Sequence, residues 1–238
     1  MHAIDEFDIK LLNPINGMQG SLAQRVYHSL REAILDLHLA PGMVLRKAQI
    51  CEYLGVSRSP VSEAIARLAA EGLLDVVPQS VTRVSCFSMS EIREGAFLRE
   101  ALELAAVSRV AAIRSDAQVA ELKQNLLLQN TLVEQQDYAA FYRADEQMHR
   151  LIMHFTGFEN LAAVANNAWI QVDRARRLLL PNPGRTTESL EQHHRIVKAI
   201  ELQDTVAARE AMQLHLSELV NRLEPLLVER PSLFSGRK

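Results

Sequence analysis

At 238 residues the chain is longer than one small module needs and fits two domains of roughly 100–150 residues each. Hydrophobic residues make up 48% of it, charged residues 23% and aromatics 5%, a globular balance that excludes disordered, collagen-like and low-complexity classes. The net charge is −3, split between 8 basic and 9 acidic residues up to Ser88 and 18 and 20 beyond it. Bulk charge therefore gives no case for a nucleic-acid partner, and such a case must come from a motif.

Only 9 Gly and 8 Pro punctuate the chain, so a mostly helical protein is expected. No apolar run reaches the roughly 18 residues of a membrane span. The start, MHAIDEFDIK, is acidic and lacks the basic and apolar regions of a signal peptide. A soluble, cytoplasmic protein is the expectation. Cys51 and Cys86 have neither disulfide-framework nor metal-ligand spacing and read as small apolar residues.

Residues 1–20 contain Asn13-Pro14, Gly17 and Gly20 without a sustained period and read as a tail. A helix is predicted from Ser21, with Leu22, Val26, Leu30, Ile34 and Leu37 on one stripe, stopped by Pro41-Gly42. A short helix follows over Lys47–Leu54 and ends at Gly55. The next carries Val61, Ile65 and Leu68 on one face. Ser59 is its expected N-cap, Pro60 its first residue and Gly72 its stop. The period then changes: Leu74–Val77 and Val81–Ser85 read as two strands around Pro78-Gln79-Ser80. Three helices and a hairpin make a winged helix-turn-helix over 21–88. Beyond it only helices are predicted, over about 90–114, 116–135, 137–156, 159–180, 187–202 and 204–229. Asn182-Pro183-Gly184 separates the fourth from the fifth, and 231–238 reads as a C-terminal tail. The expected fold is mainly α: a winged helix-turn-helix followed by an all-α helical-bundle domain over 89–230.

Several spaced segments carry a resemblance. They are Leu30-Arg31, Leu39-Ala40-Pro41-Gly42, the run Leu54 to Val61 (LGVSRSPV), Glu63-Ala64-Ile65, and Arg67-Leu68 followed by Gly72-Leu73-Leu74. Together they resemble the DNA-binding domain of GntR-family bacterial transcription regulators over about 21–86. The residues make chemical sense of it. A helix N-terminus offers unpaired N–H groups and a positive dipole end to a phosphate. Arg58 beside it can reach a phosphate or a guanine edge, and Ser57, Ser59 and Ser62 add hydroxyl donors. Arg31, Arg46 and Lys47 are candidates to hold the backbone. Two positions depart from the family pattern. Ser62 stands where relatives usually carry Arg, and Ser80-Val81 stands where the wing usually has Gly. Operator preference and minor-groove approach are therefore expected to differ, with Gln79, Thr82 and Arg83 left to touch phosphate.

From residue 90 to about 228 the chain resembles the FCD-type ligand-binding domain of the FadR subgroup. Arg99 with Glu103, Asp145 with His149, His194-Arg195-Ile196, and Met212 with His215-Leu216 carry that likeness. The resemblance implies a divalent cation held by Asp145, His149, His194 and His215. Helical spacing agrees in part. Asp145 and His149 are four residues apart, on the face of Phe141, Met148 and Ile152. His215 lies on the stripe Ala208, Met212, Leu219, Leu223 and Leu226. A carboxylate taken into such a core needs a partner. Of the neighbours His193 and His194, the spacing to Ile196 and Ala199 favours His194, and periodicity alone leaves both open. Imidazoles with one carboxylate suit Zn²⁺, Ni²⁺ or Mn²⁺; a hydrogen-bonded Asp–His cluster without metal is the alternative. His2, His28, His38 and His154 fit no such set.

Arg99 and Glu103 share the stripe Ile92, Ala96, Ala106, Val110 and Ile113. They form either an internal ion pair or, with Arg176 as a weaker candidate, a clamp for an effector carboxylate. Trp169 reads as packing. The resemblance thus implies a non-enzymatic, homodimeric regulator. It would bind a short palindromic DNA operator and be released by a small carboxylic acid held beside the metal. A metal-responsive regulator and, less favoured, a metal-dependent enzyme are the alternatives.

Overall fold

The computed structural model describes residues 12–77, 80–179 and 183–234. The chain divides into two compact units. The first contains the residues up to Met89 together with 173–177 and the segment from Leu226 onward. The second contains Ser90–Val172 and Leu178–Pro225.

In the first unit, helix α1 (Leu22–Leu35) opens with a capping box: the Ser21 hydroxyl accepts from the Gln24 N–H at 3.2 Å, and the Ser21 N–H donates to Gln24 Oε1 at 2.8 Å. Strand β1 (Val44–Leu45), helix α2 (Lys47–Leu54), helix α3 (Arg58–Ala70) and strands β2 (Leu74–Val77) and β3 (Val81–Val84) follow. The sheet is antiparallel in the order β1-β3-β2, with Leu45 opposite Thr82 and Val76 opposite Thr82 on the other side. Val26, Leu30, Ile34, Leu39, Ile50, Val61, Ile65, Leu68, Leu73 and Val84 form its core. Gly55, at φ +64°, closes α2 in the left-handed conformation that glycine adopts without a Cβ penalty. This is the winged helix-turn-helix expected, with a third strand too short to be seen as a pattern.

Four boundaries differ from expectation in this unit. The N-cap of α3 is Ser57, not Ser59, so Arg58 is the first helical residue and Pro60 the third. Proline is tolerated there because no N–H of the first turn has an intrahelical partner. Leu37 lies beyond the end of α1, at φ +59°. Residues 12–20 do not run free: Leu12 and Ile15 are buried, and the Ser29 hydroxyl donates to the Asn13 carbonyl at 2.7 Å. The C-terminal segment packs as well. Phe87 forms a short parallel bridge with Phe234, and the Phe87 N–H donates to the Leu233 carbonyl at 2.9 Å.

The second unit is built on helices α4 (Met89–Ile113), α5 (Asp116–Glu134), α6 (Tyr138–Phe155), α7 (Leu161–Arg176), α8 (Pro183–Glu201) and α9 (Thr205–Leu223), with α10 (Leu226–Glu229) beyond. Ser115, Asp137 and Asp204 accept N–H bonds from the first turns of α5, α6 and α9. Two expected limits move. Helix α8 spans Pro183–Glu201 where a start at 187 was expected. The last helix does not run to 229 but ends at Leu223, just before Pro225. Val107, Val110, Leu122, Phe141, Met148, Ile152, Ile196, Ile200, Ala208 and Met212 fill the core between the helices. No helix among the described residues is long and apolar enough to cross a membrane.

Candidate functional site

In the winged unit, α3 buries Val61, Ala64, Ile65 and Leu68 and turns Ser57, Arg58, Ser59 and Ser62 to the exterior. Its first turn carries no acidic residue. Arg58 thus stands at a helix end whose N–H groups and dipole favour an anion, with nothing of opposite charge there to neutralise it. Arg46 and Lys47, exposed at the start of α2, line a groove shared with Val76, Val77, Ser80 and Val81 of the wing. Arg31 differs. Its Nε lies 3.6 Å from Glu71, which also accepts from the Tyr27 hydroxyl at 2.6 Å and meets Arg67 at 3.4 Å. Its charge is partly committed inside the unit, which makes it the weakest of the basic candidates. Thr82 is buried, Arg83 is exposed, and Gln79 lies outside the described residues. Arg46→Ala and Lys47→Ala are each expected to weaken operator binding equally across sequences. Each should reduce the dependence of log affinity on log salt by about one; titrations at several salt concentrations check this.

In the helical unit, α6 supplies Asp145 and His149, α8 supplies His193 and α9 supplies His215. One ligand atom from each lies within 4.8 Å of all the others. Nε2 of His215 is 3.2 Å from Nε2 of His149 and 3.3 Å from Nε2 of His193. Asp145 Oδ1 is 3.0 Å from His193 Nε2 and 3.8 Å from His149 Nε2. Asp145, His149 and His193 are buried and His215 is partly buried. Three rings and a carboxylate thus face one point, with Phe141, Met148 and Ile152 buried around them as the spacing predicted.

The outer ring nitrogens are all engaged. His149 Nδ1 meets Glu103 Oε2, His193 Nδ1 meets Gln129 Oε1 at 2.7 Å, and His215 Nδ1 meets Gln192 Oε1 at 2.9 Å. Glu103 also takes the Arg99 Nε–H at 2.6 Å on Oε1. Burial alone would raise the Glu103 carboxyl, but His149 and Arg99 beside it outweigh burial and hold it down at about 2. Glu103 is therefore an acceptor for His149 Nδ1–H, the carboxylate–histidine arrangement that orients a metal-ligating imidazole. With the outer nitrogens donating, the inner Nε2 atoms present lone pairs toward one another and toward a carboxylate. Acceptors brought that close repel unless a cation lies among them, and an N/O donor set of this kind fits Zn²⁺, Ni²⁺ or Mn²⁺.

One expected ligand is corrected. His194 is exposed on the outer side of α8, beside Lys123, Asn130 and Glu201, and His193 takes its part. The buried face of α8 runs through His193, Ile196, Val197 and Ile200. This is the 3–4–7 spacing of one helical stripe, and His194 lies about 100° away from it. Arg99 is buried, its guanidinium 5.6 Å from the Trp169 ring, and among the described residues its hydrogen bond is the one from Nε to Glu103. The Arg99–Glu103 ion pair is thus present, and it leaves the terminal nitrogens of Arg99 without a partner among the described residues. Arg176 lies in the 173–177 segment of the first unit, with Nη1 3.8 Å from Asp173.

The model of bacterial regulatory proteins of the gntR family matches residues 22–84, and that of the FCD domain matches 94–218. The chain belongs to the GntR family of transcription regulators, with an FCD domain. An HTH-type transcriptional regulator from an unstable DNA locus of Streptomyces ambofaciens is 34% identical over 210 residues, 88% of each chain. The HTH-type transcriptional repressor RspR of Escherichia coli is 31% identical over 212 residues, covering 89% of this chain and 93% of its own. Among solved structures, E. coli McbR/YncC superposes with a TM-score of 0.76 at 23% identity, over 87% of this chain and 99% of that one. The two relatives are HTH-type transcriptional regulators, and the matching gntR model is one of bacterial regulatory proteins.

GntR helix-turn-helix regulators bind DNA operators. Three residues of its cluster escaped the sequence reading: Asn125, Gln129 and Gln192. The signal was there. Asn125 and Gln129 interrupt the otherwise apolar stripe Val119, Leu122 and Leu126 of α5 at positions four apart. Polar side chains on a buried stripe must find partners.

Proposed function

We propose that this GntR regulator works as a cytoplasmic homodimer on a short palindromic operator, and that a small carboxylic acid bound beside a divalent cation in the helical unit controls its DNA affinity. The observation that carries the reading is the convergence of three Nε2 lone pairs and the Asp145 carboxylate, each imidazole held from behind by an acceptor. Asp145, His149, His193 and His215 would hold the cation. Bound there, it would supply Lewis-acid positions to which a carboxylate oxygen can coordinate. Arg99 is the protein group suited to the same acid. It is buried and fixed through Nε by Glu103, and its terminal nitrogens, which have no partner among the described residues, would form the planar fork that matches two carboxylate oxygens. Glu103 therefore orients both Arg99 and His149, rather than contacting the acid. An acid that binds one DNA-affinity state better than another shifts the population between them.

The test is a thermal-shift panel of mono- and dicarboxylic acids on metal-loaded and chelator-stripped protein. A ligand specific to the folded state stabilises it by about 2.7 kcal/mol at a hundredfold excess over its dissociation constant. Stabilisation by an acid that vanishes on chelation is the expected result. Destabilisation by chelation with no response to any acid would make the metal itself the signal.

A further inference from the structure

We propose that Asn125 and Gln129 form a relay that fixes the tautomer of His193, making them positioning residues for the cation; this rests on the metal reading above. The relay starts from a group whose role is not adjustable. The Ala144 backbone carbonyl can only accept, and Asn125 Nδ2 lies 3.0 Å from it, so the amide nitrogen of Asn125 faces that carbonyl. Asn125 Oδ1 then faces Gln129 and accepts from its Nε2 at 2.7 Å. This turns Gln129 Oε1, an acceptor, toward His193 Nδ1 at 2.7 Å. His193 must carry its proton on Nδ1, which leaves the Nε2 lone pair directed at Asp145 and His215.

All three side chains are buried: Asn125 is 8% exposed, Gln129 and His193 not at all. Water therefore cannot substitute for a lost partner without a change in packing. A neutral imidazole without such an acceptor would be free to protonate Nε2, the atom that has to donate to a cation. Helix α5 thus contributes no ligand, yet it determines whether the ligand of α8 is in its donating form. Glu103 on α4 does the same for His149 as a charged acceptor, so the two buried rings are set by different chemistry from two different helices. The amide relay exerts no net charge on the site, whereas Glu103 adds one.

Two measurements test the relay, and Zn²⁺ is the probe. Ring-nitrogen NMR shifts on metal-free protein at alkaline pH report the tautomer directly. Chelator competition reports Zn²⁺ affinity. In the wild type, neutral His193 is expected to carry its proton on Nδ1. Gln129→Leu is expected to move that proton to Nε2 and lower Zn²⁺ affinity about 10- to 100-fold, the range found for partners of ligating histidines. Gln129→Glu keeps an acceptor toward His193 Nδ1 but loses the donor to Asn125 Oδ1; it is expected to keep the Nδ1 tautomer and to lose less affinity than Gln129→Leu, which a purely packing role would not predict. A wild-type His193 protonated on Nε2, or a Gln129→Leu protein with unchanged tautomer and affinity, overturns the relay. A wild type that binds no Zn²⁺ overturns the metal reading instead, and the NMR result still decides the relay. If Gln129→Leu fails to fold, the wild-type tautomer and the Gln129→Glu protein carry the same decision.

Discussion

Arg58→Ala is expected to abolish specific operator binding while leaving the fold and the Zn²⁺ affinity of the helical unit unchanged. Arg58 is exposed at the first position of α3, and the buried face of that helix is formed by Val61, Ala64, Ile65 and Leu68. Its removal therefore costs the winged unit no core packing. A bidentate arginine–guanine contact discriminates by about 1–3 kcal/mol. In a dimer reading two half-sites the loss is doubled, roughly 30-fold in affinity at the least. The effect should be strongest on the cognate sequence and small on random DNA, where phosphate contacts dominate. Fluorescence anisotropy with operator and scrambled duplexes checks this. Wild-type affinity for the operator in the Arg58→Ala protein would remove α3 from the reading of sequence.

His193→Ala and His194→Ala are neighbours with opposite expected outcomes. His193→Ala removes one of four converging donors and leaves Gln129 Oε1 and Asp145 without the ring between them. Metal affinity should fall by more than the roughly 100-fold ceiling for loss of a partner behind a ligand. His194→Ala, on the exposed side of α8, should leave affinity at the wild-type value. Metal content after dialysis, with chelator competition, separates the two. Equal losses in both variants, or a loss in His194→Ala alone, would contradict the ligand set.

These neighbours also show where the sequence was legible. Val26, Leu30 and Ile34 of the α1 stripe, the limits of α2 and the two wing strands followed from apolar period and from Gly55, whereas Leu22 at one end of that stripe is exposed and Leu37 at the other lies beyond the helix. Asp145 and His149 were placed correctly because four residues return a helix to the same face and their apolar companions were unambiguous. The choice between His193 and His194 turned on a 100° rotation of α8, and that phase is set by contacts with other helices rather than by the residues flanking the pair. The start of α3 was missed by two residues because Ser57 makes no side-chain capping bond, so the serine preference at that position gave no guide to the boundary. Strand β1 has only two residues, and its pairing with β3 is long-range. The relay through Asn125 and Gln129 lies on α5, and only the tertiary fold brings it behind the α8 histidine.

The central claim is that acid and cation act together on DNA affinity. It is tested most directly by operator titrations of metal-loaded and chelator-stripped regulator across the same carboxylic acids. At least one acid is expected to weaken operator binding in the loaded protein and to have no effect in the stripped protein. An acid effect of equal size in both, or none in either, would contradict it.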